Sequence, residues 1–384
     1  MGQLIAGPYC TRLLAEFGAQ VIKVEPPQTG DPLRQWRKLH KGTSLWWFAQ
    51  SRNKKSVTVN LKHPKGQEVV RKLAAQADIV VENFRPGAME KWGLGYDILS
   101  ELNPGLIMVR LSGYGQTGPY RDQPGFGAIG EAMGGIRYIT GYPDRPPVRA
   151  GVSFGDSVAA LYGVMGALMA LHARQSNGGK GQVVDVALYE AVFSLMESMV
   201  PEFDRYQFVR ERTGAALPGI VPSNTYVTRD GRFVVIGANG DSIFKRLMST
   251  IGRPDLAADP TLERNDGRVK RTEELDQVIG EWCARHDLDT VLSALEQAEV
   301  PSGKIYNVAD IVADPHFNAR GMIEQSTLED GTPLKLPGIV PKLSRTPGET
   351  RWLGPALGVH TAEVLGELGY TSTEIEQLRS VGAI

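Results

Sequence analysis

One residue of this 384-residue chain whose type and setting could do chemistry is an aspartate at the start of a helix. Gly155-Asp156-Ser157 stands directly before an apolar run, Val158 to Leu171, that reads as a buried core helix. Aspartate is a favoured N-cap, and capping is the plain reading of Asp156. The two duties are compatible, because a helix N-terminus keeps a carboxylate ionised and an ionised carboxylate can act as a nucleophile. A second feature is the segment Arg34 to Lys65, with nine basic residues (Arg34, Arg37, Lys38, Lys41, Arg52, Lys54, Lys55, Lys62, Lys65) and no acid. With Trp36, Trp46 and Trp47 available for a ring, it suits a polyanion such as a nucleotide phosphate; the alternative is a solvated face. Third, Gly113-Tyr-Gly-Gln-Thr-Gly118 matches G-x-G-x-x-G after a strand. A dinucleotide fingerprint requires a helix to open at the last glycines, and Pro119 and Pro124 follow instead, so a rigid loop over a ligand is expected and NAD or FAD is not. Gly214-Ala-Ala-Leu-Pro-Gly219 reads either as linker or as a mobile cover loop.

Other chemistries lose support. The 42 Lys+Arg against 43 Asp+Glu leave a net charge of −1, which argues against a nucleic-acid binder. Cys10 and Cys283 are far apart and support neither a disulfide framework nor a Cys-rich metal site, which fits a reducing compartment. The six histidines (His40, His63, His172, His286, His316, His360) show no metal spacing. No G-x-S-x-G elbow or Walker string is present. The run Val158–Leu171 falls short of a membrane span of ~18 apolar residues, and no basic region marks a signal peptide, so a cytoplasmic protein without a membrane partner is expected.

Placing the aspartate and the loops requires a scaffold. Pro8 suits the first turn of a helix reaching Phe17, and Ala19–Val24, Ser56–Leu61, Ala77–Glu82, Leu106–Leu111 and Gln182–Val186 have strand character. Pro64–Gln76, Asp156–Gln175 and Ala187–Met199 read as helices between them, which predicts a parallel α/β sheet. After Pro201 the chain turns charged and then Gly/Pro-rich. Asp230-Gly231 predicts a hairpin, helical stretches follow to Leu295, Asp330-Gly331 marks another turn, and 358–381 looks helical. The domains expected are 1–200 with 316–384, a linker at 201–219, and 220–315.

Taken in order, Ala6-Gly7-Pro8, Ile22-Lys-Val-Glu25, Arg52-Asn-Lys-Lys55, Glu82-Asn-Phe-Arg-Pro-Gly87, Ser112 to Pro119, Gly155-Asp156 and Gly179-Lys-Gly-Gln182 resemble the family III CoA-transferases, the CaiB–BaiF group that also includes acyl-CoA racemases. The resemblance runs along nearly the whole chain and implies an α/β fold: a Rossmann-like large domain with a parallel sheet from both chain ends, a smaller α+β domain from the middle, and an interlocked homodimer. It implies coenzyme A or acyl-CoA as substrate, with no permanently bound cofactor and no metal. Asp156 matches the catalytic aspartate, which passes through a mixed anhydride and an aspartyl-CoA thioester. Backbone N–H groups at the helix start would stabilise the oxyanions. CoA-contacting positions carry over to Leu4, Ile5, Val59, Lys62, Asn83, Phe84, Lys91 and Trp92, and Arg34 and Arg52 lie in stretches that approach the CoA phosphates. Gly214 to Gly219 matches the glycine loop over the active site.

The chain departs from the family pattern in two places. Relatives open with one more apolar strand ahead of Gly2, so Met1 is read as a shortened or miscalled start, which would leave the first loop less firmly placed. The racemases place a histidine where this chain has Phe126, which cannot move a proton, and many transferases follow it with an acid where this chain has Gly127. The function expected is therefore transfer of CoA from an acyl-CoA such as succinyl-CoA to a small carboxylic acid, and the overall similarity suggests a dicarboxylate acceptor. The rivals are a 2-methylacyl-CoA racemase and a catalytically silent CoA-binding subunit. Arg149, Ser223 and Asn224, near Asp156 or the glycine loop in sequence, are candidate acceptor contacts.

Overall fold

The computed structural model describes residues 1–384. The chain divides into two units, Met1–Arg137 with Ala150–Val209 and Gly321–Ile384, and Tyr138–Arg149 with Arg210–Arg320. Composition placed two segments differently. Residues 138–149 go with the second unit, and the charged stretch after Pro201 begins as a helix, Met199–Tyr206, of the first. Residues 201–219 are thus not one linker.

The first unit alternates helix and strand, as the hydrophobic spacing requires. In chain order it contains α1 (Ala6–Glu16), β1 (Val21–Glu25), β2 (Lys54–Thr58), α2 (Pro64–Gln76), β3 (Ile79–Glu82), β4 (Ile107–Ser112), α3 (Gly127–Met133), α4 (Phe154–Ser176), β5 (Val183–Ala187) and α5 (Leu188–Phe193). β1 pairs in parallel with β2, Val21 opposite Lys54, and β3, β4 and β5 form a second parallel ladder with β4 in the middle. Every residue of β4 is buried, as in a parallel strand covered on both faces. Between the two ladders runs the chain start, where the Met1 amine donates to Val81 O at 2.9 Å and Lys23 Nζ donates to Gly2 O. α4 is longer than its uncharged run, and at 23 residues it has the length and composition to cross a bilayer. Within the unit it packs along α1, β4 and β5, with Ala159, Ala160, Ala167 and Ala170 turned inward.

Several cations of the basic segment face this interior. Arg34 is 7% exposed, pairs with Glu25 at 2.8 Å and stacks over the Trp47 ring at 3.7 Å. Arg52, 0% exposed, contacts Glu16, Glu324 and the Pro337 carbonyl. Lys54 donates to Pro8 O at 2.6 Å, and burial together with the charges of Lys23 and Arg12 holds its amine well below the usual range. The reason is the β1–β2 ladder, which turns Lys23 and Lys54 away from solvent, where only a paired or carbonyl-bound cation is tolerated.

The second unit holds an antiparallel sheet of β6 (Ser223–Val227), β7 (Phe233–Gly237) and β8 (Ser302–Lys304), in the order β8-β7-β6. The β6–β7 hairpin turns at Asp230-Gly231, where Gly231 takes φ 72°. Helices α6 (Asp241–Thr250), α7 (Thr272–Arg285) and α8 (Leu288–Gln297) close a core that includes Val234, Ile236, Phe244, Leu247 and Leu295. Gly321–Ile384 returns to the first unit as a hairpin, Ile323–Thr327 with Pro333–Pro337, and two helices, Thr361–Glu367 and Ser372–Ser380.

Candidate active site

Parallel α/β sheets bind ligands beyond the carboxyl ends of their strands. Here the segments leaving β2, β3 and β4 are Val59–Lys62, Asn83-Phe84 and Gly113–Gly118. The Asn83 side chain clamps the first loop, accepting from Gln3 N–H at 2.7 Å and donating to Gln3 O at 2.9 Å. Leu4 next to it has φ 61°, a left-handed conformation costing roughly 1–3 kcal/mol for a side-chain-bearing residue. It is held by Asp31, whose carboxylate oxygens accept the Leu4 N–H at 3.0 and 3.2 Å. Burial alone would raise the Asp31 carboxyl, but Lys23 and the amides of Leu33 and Leu4 hold it below the usual range. Phe84 meets Trp92 edge-on at 5.2 Å, and Lys91 beside it is exposed.

The Gly113–Gly118 loop opens no helix; the next one begins at Gly127. The loop is fixed instead by Gly115 N–H to Ser112 Oγ at 3.0 Å and Gln116 N–H to Asp185 at 2.9 Å. A Cβ on Gly113 would lie 2.8 Å from the Gly125 Cα, so only two glycines allow the chain to pass itself here. Two residues further on, the same contact logic reaches Asp156. A Cβ on Gly127 would lie 2.0 Å from Asp156 Oδ2 and 2.7 Å from its Cγ. The missing side chain is the space the carboxylate occupies.

Asp156 is half-buried in the first turn of α4 and is not its N-cap, which is Ser153. That displaces the plain capping reading. The expectation that first-turn amides serve as an oxyanion hole is corrected for three of them. Phe154 N–H goes to Val152 O at 2.9 Å, Gly155 N–H to Glu131 Oε1 at 3.3 Å, and Ser157 N–H to Ser153 O at 3.1 Å. Cys10 offers no rival nucleophile in this unit, because burial pushes its thiol up to about 12.

The structure brings Leu4, Asn83, Phe84, Lys91 and Trp92 together around the first loop and the end of β3. Other expected contacts are corrected. Arg34 and Arg52 are spent on internal carboxylates and carbonyls and present no guanidinium to a phosphate. Val59 is 1% exposed within the core and gives its N–H to Glu25 O, so it offers a ligand no side chain; Ile5 is nearly as buried. The acid-free basic segment is also largely paired once folded: Lys41 with Asp330, Lys55 with Glu363 and Glu367, Lys65 with Glu68. Exposed Lys62, Arg37 and Lys38 remain as phosphate candidates.

In the second unit, Asn224 donates to Asp276 at 2.9 Å and accepts the Thr225 N–H. Ser223 lies half-buried on β6, and Arg149 is exposed. Gly214, φ 70°, gives its N–H to Gly141 O at 2.9 Å, and Gly219 O accepts from Asn265 at 2.8 Å, so both ends of the glycine loop are tied down. Sequence reasoning missed Glu131. Gly127, Gly130, Glu131 and Gly134 share one face of α3 at helical spacing, and a charge within a stripe of glycines was the available signal.

Loops converging on the carboxyl ends of parallel strands, with an aspartate set in the first turn of an adjoining helix, mark a ligand site of the α/β kind. The comparisons with known proteins supply the family. The chain belongs to CoA-transferase family III, whose profile matches residues 1–361, and it is a CoA-transferase. It is 51% identical over 382 residues, 99% of this chain and 95% of the other, to a succinyl-CoA–D-citramalate CoA-transferase of Chloroflexus aurantiacus. It is 36% identical over 378 residues, 96% of this chain and 93% of the other, to a succinate–glutarate CoA-transferase of Agrobacterium fabrum. A CAIB/BAIF family protein from Brucella suis superposes with a TM-score of 0.83 at 34% identity, covering 96% of this chain and 97% of that one.

Proposed function

We propose that the enzyme moves CoA from succinyl-CoA to a small carboxylic acid, with a dicarboxylate as acceptor and Asp156 as the covalent carrier. The observation that carries this reading is the fit of the Asp156 carboxylate into the space left by Gly127. Donor and acceptor class are supported by the names of the similar enzymes, which act on succinyl-CoA with citramalate or on succinate and glutarate.

In this scheme an Asp156 oxygen attacks the thioester carbonyl of succinyl-CoA and expels CoA thiolate, leaving a mixed anhydride. The thiolate attacks the aspartyl carbonyl, which releases succinate and forms an aspartyl-CoA thioester. The acceptor carboxylate attacks that carbonyl, expels the thiolate again, and forms a second anhydride. Attack of the thiolate on the acceptor's acyl carbon frees Asp156 and the new thioester. No net proton transfer is required, and thioester energy is conserved because the CoA thiolate expelled in each anhydride-forming step is the nucleophile of the next. The residues at the first loop and the end of β3, with Lys62, Arg37 and Lys38, are assigned to the CoA moiety.

The working form is a homodimer, interlocked, in the cytoplasm. Leu161, Met165, Leu168 and Met169 are 47–63% exposed on one face of α4, an apolar stripe that a second copy would cover. The two buried free cysteines suit a reducing setting.

The test is a panel of carboxylic acids with succinyl-CoA as donor, read by mass spectrometry, alongside hydroxylamine trapping. Transfer to at least one C4–C5 dicarboxylate and an Asp156 hydroxamate are expected, and both vanish in Asp156→Ala. Transfer that survives that substitution refutes the assignment.

A further inference from the structure

Glu131 is the most buried acid near Asp156, at 2% exposure, and the chemistry above gives it no task. Its two carboxylate oxygens are divided between two donors. Oε1 accepts the N–H of Gly155 at 3.3 Å, and Oε2 accepts from Arg137 at 2.9 Å. Gly155 immediately precedes Asp156 within the first turn of α4, whose N-cap Ser153 makes no side-chain capping bond. Glu131 therefore does for this helix what its own N-cap does not, accepting an amide of the first turn from outside. It stands one turn beyond Gly127 on the same face of α3, so a single helix face touches both the backbone before Asp156 and the carboxylate itself. A Cβ on Gly155 would lie 2.8 Å from Gly127 O and 3.3 Å from Glu131 Cγ, so the first turn and α3 are in backbone contact.

We infer that Glu131, oriented by Arg137, is a positioning residue that fixes the first turn of α4 and thereby the attack geometry of Asp156. The inference deepens the transferase reading and rests on it. A carboxylate suits the position because it accepts from both donors at once, whereas an amide offers one acceptor oxygen. Displacing a reacting group by about 1 Å costs on the order of 100-fold in rate without a matching loss of substrate binding.

The experiment compares wild type, Glu131→Ala and Glu131→Gln in CoA transfer from succinyl-CoA and in amide hydrogen exchange of the segment 153–158. In Glu131→Ala, kcat should fall about 30- to 100-fold while KM for succinyl-CoA stays within about threefold, and exchange in 153–158 should rise. Glu131→Gln should lie between wild type and alanine in both readouts. If Glu131→Ala does not fold, Glu131→Gln carries the test through the same two readouts. A kcat within twofold of wild type, or a fall in kcat without faster exchange at 153–158, overturns the inference. Failure of the underlying reading looks different: wild type would then transfer CoA to no acid, while the exchange contrast would still report on the clamp.

Discussion

Replacing Gly127 with alanine adds one methyl group at the point of closest approach to Asp156. The new Cβ would stand 2.0 Å from Oδ2 and 2.7 Å from Cγ, where van der Waals contact requires about 3.5 Å or more. The backbone of Gly127 does not lie in the left-handed region, so alanine brings no strain of its own at the start of α3. What must yield is the end of a side chain. Rotating the carboxylate off its rotamer costs about 0.5–1.5 kcal/mol, a small change in stability for a chain of this size. With Asp156 as the proposed carrier, a shift of its attacking oxygen by about 1 Å should cost on the order of 100-fold in kcat, or about 2.7 kcal/mol of transition-state stabilisation. Steady-state transfer from succinyl-CoA, paired with thermal melting, separates the two effects. The expected result is a folded Gly127→Ala enzyme with Tm within about 3 °C of wild type, KM for succinyl-CoA within threefold, and kcat down about 100-fold. A variant that keeps half its kcat refutes the fit of Asp156 against Gly127, and a collapse of Tm shows that the contact serves the fold instead.

Four further outcomes follow. Arg34→Met should destabilise the protein by about 3–5 kcal/mol in chemical denaturation while leaving the KM for succinyl-CoA unchanged, because it strands Glu25 in the interior; a KM effect without destabilisation would return Arg34 to the ligand. Burial alone would raise the Glu25 carboxyl, yet Arg34, Lys23 and Ser56 hold it below its ordinary value, as Lys23 does for Asp31. A depressed carboxyl contributes stability above its unfolded pKa of roughly 4 and loses it as pH falls toward the folded value, so Tm should drop below about pH 4 and the Glu25 share of that drop should vanish in Arg34→Met. Asn83→Ala removes both bonds to Gln3, each worth about 0.5–1.5 kcal/mol, and should raise KM for succinyl-CoA about 3- to 10-fold with little change in kcat; an unchanged KM would detach the first loop from CoA binding. Incubation of a 2-methylacyl-CoA in deuterated water without an acceptor acid should give no α-deuteration above background, since Phe126 carries no exchangeable proton; deuteration would reinstate the racemase.

The order of strands and helices was legible because apolar spacing is set by which face of an element is buried. Pro64–Gln76 emerged with the bounds that its proline and periodicity suggested, and Asp230-Gly231 turned where its left-handed glycine allows. Asp156 was legible as a residue but not in its place: sequence saw an N-cap, and the helix begins at Phe154. The basic segment misled for a physical reason. Charge along the chain says nothing about which side of a strand a residue faces or which acid arrives from 300 residues away, and Arg34, Arg52 and Lys54 point inward. Glu131 was overlooked because a charge within a stripe of glycines gains meaning only once its donors, Gly155 and Arg137, have been brought beside it.

The inward cations also set an order of assembly during synthesis. Arg34 and Trp47 both donate to the carbonyl of Pro355, and Arg52 to that of Pro337, so acceptors for the first sixty residues are translated near the end of the message. The segment Arg210–Arg320, which with Tyr138–Arg149 makes the second unit, is complete on the ribosome well before those acceptors exist. Its hairpin and helices close over short separations and can fold while the earlier half of the chain still lacks its late carbonyl acceptors. Ribosome-bound chains ending before residue 321 should therefore show a protease-resistant middle and a labile amino-terminal half. The last strand and helices then act as the clasp that turns the flanking segments into one body.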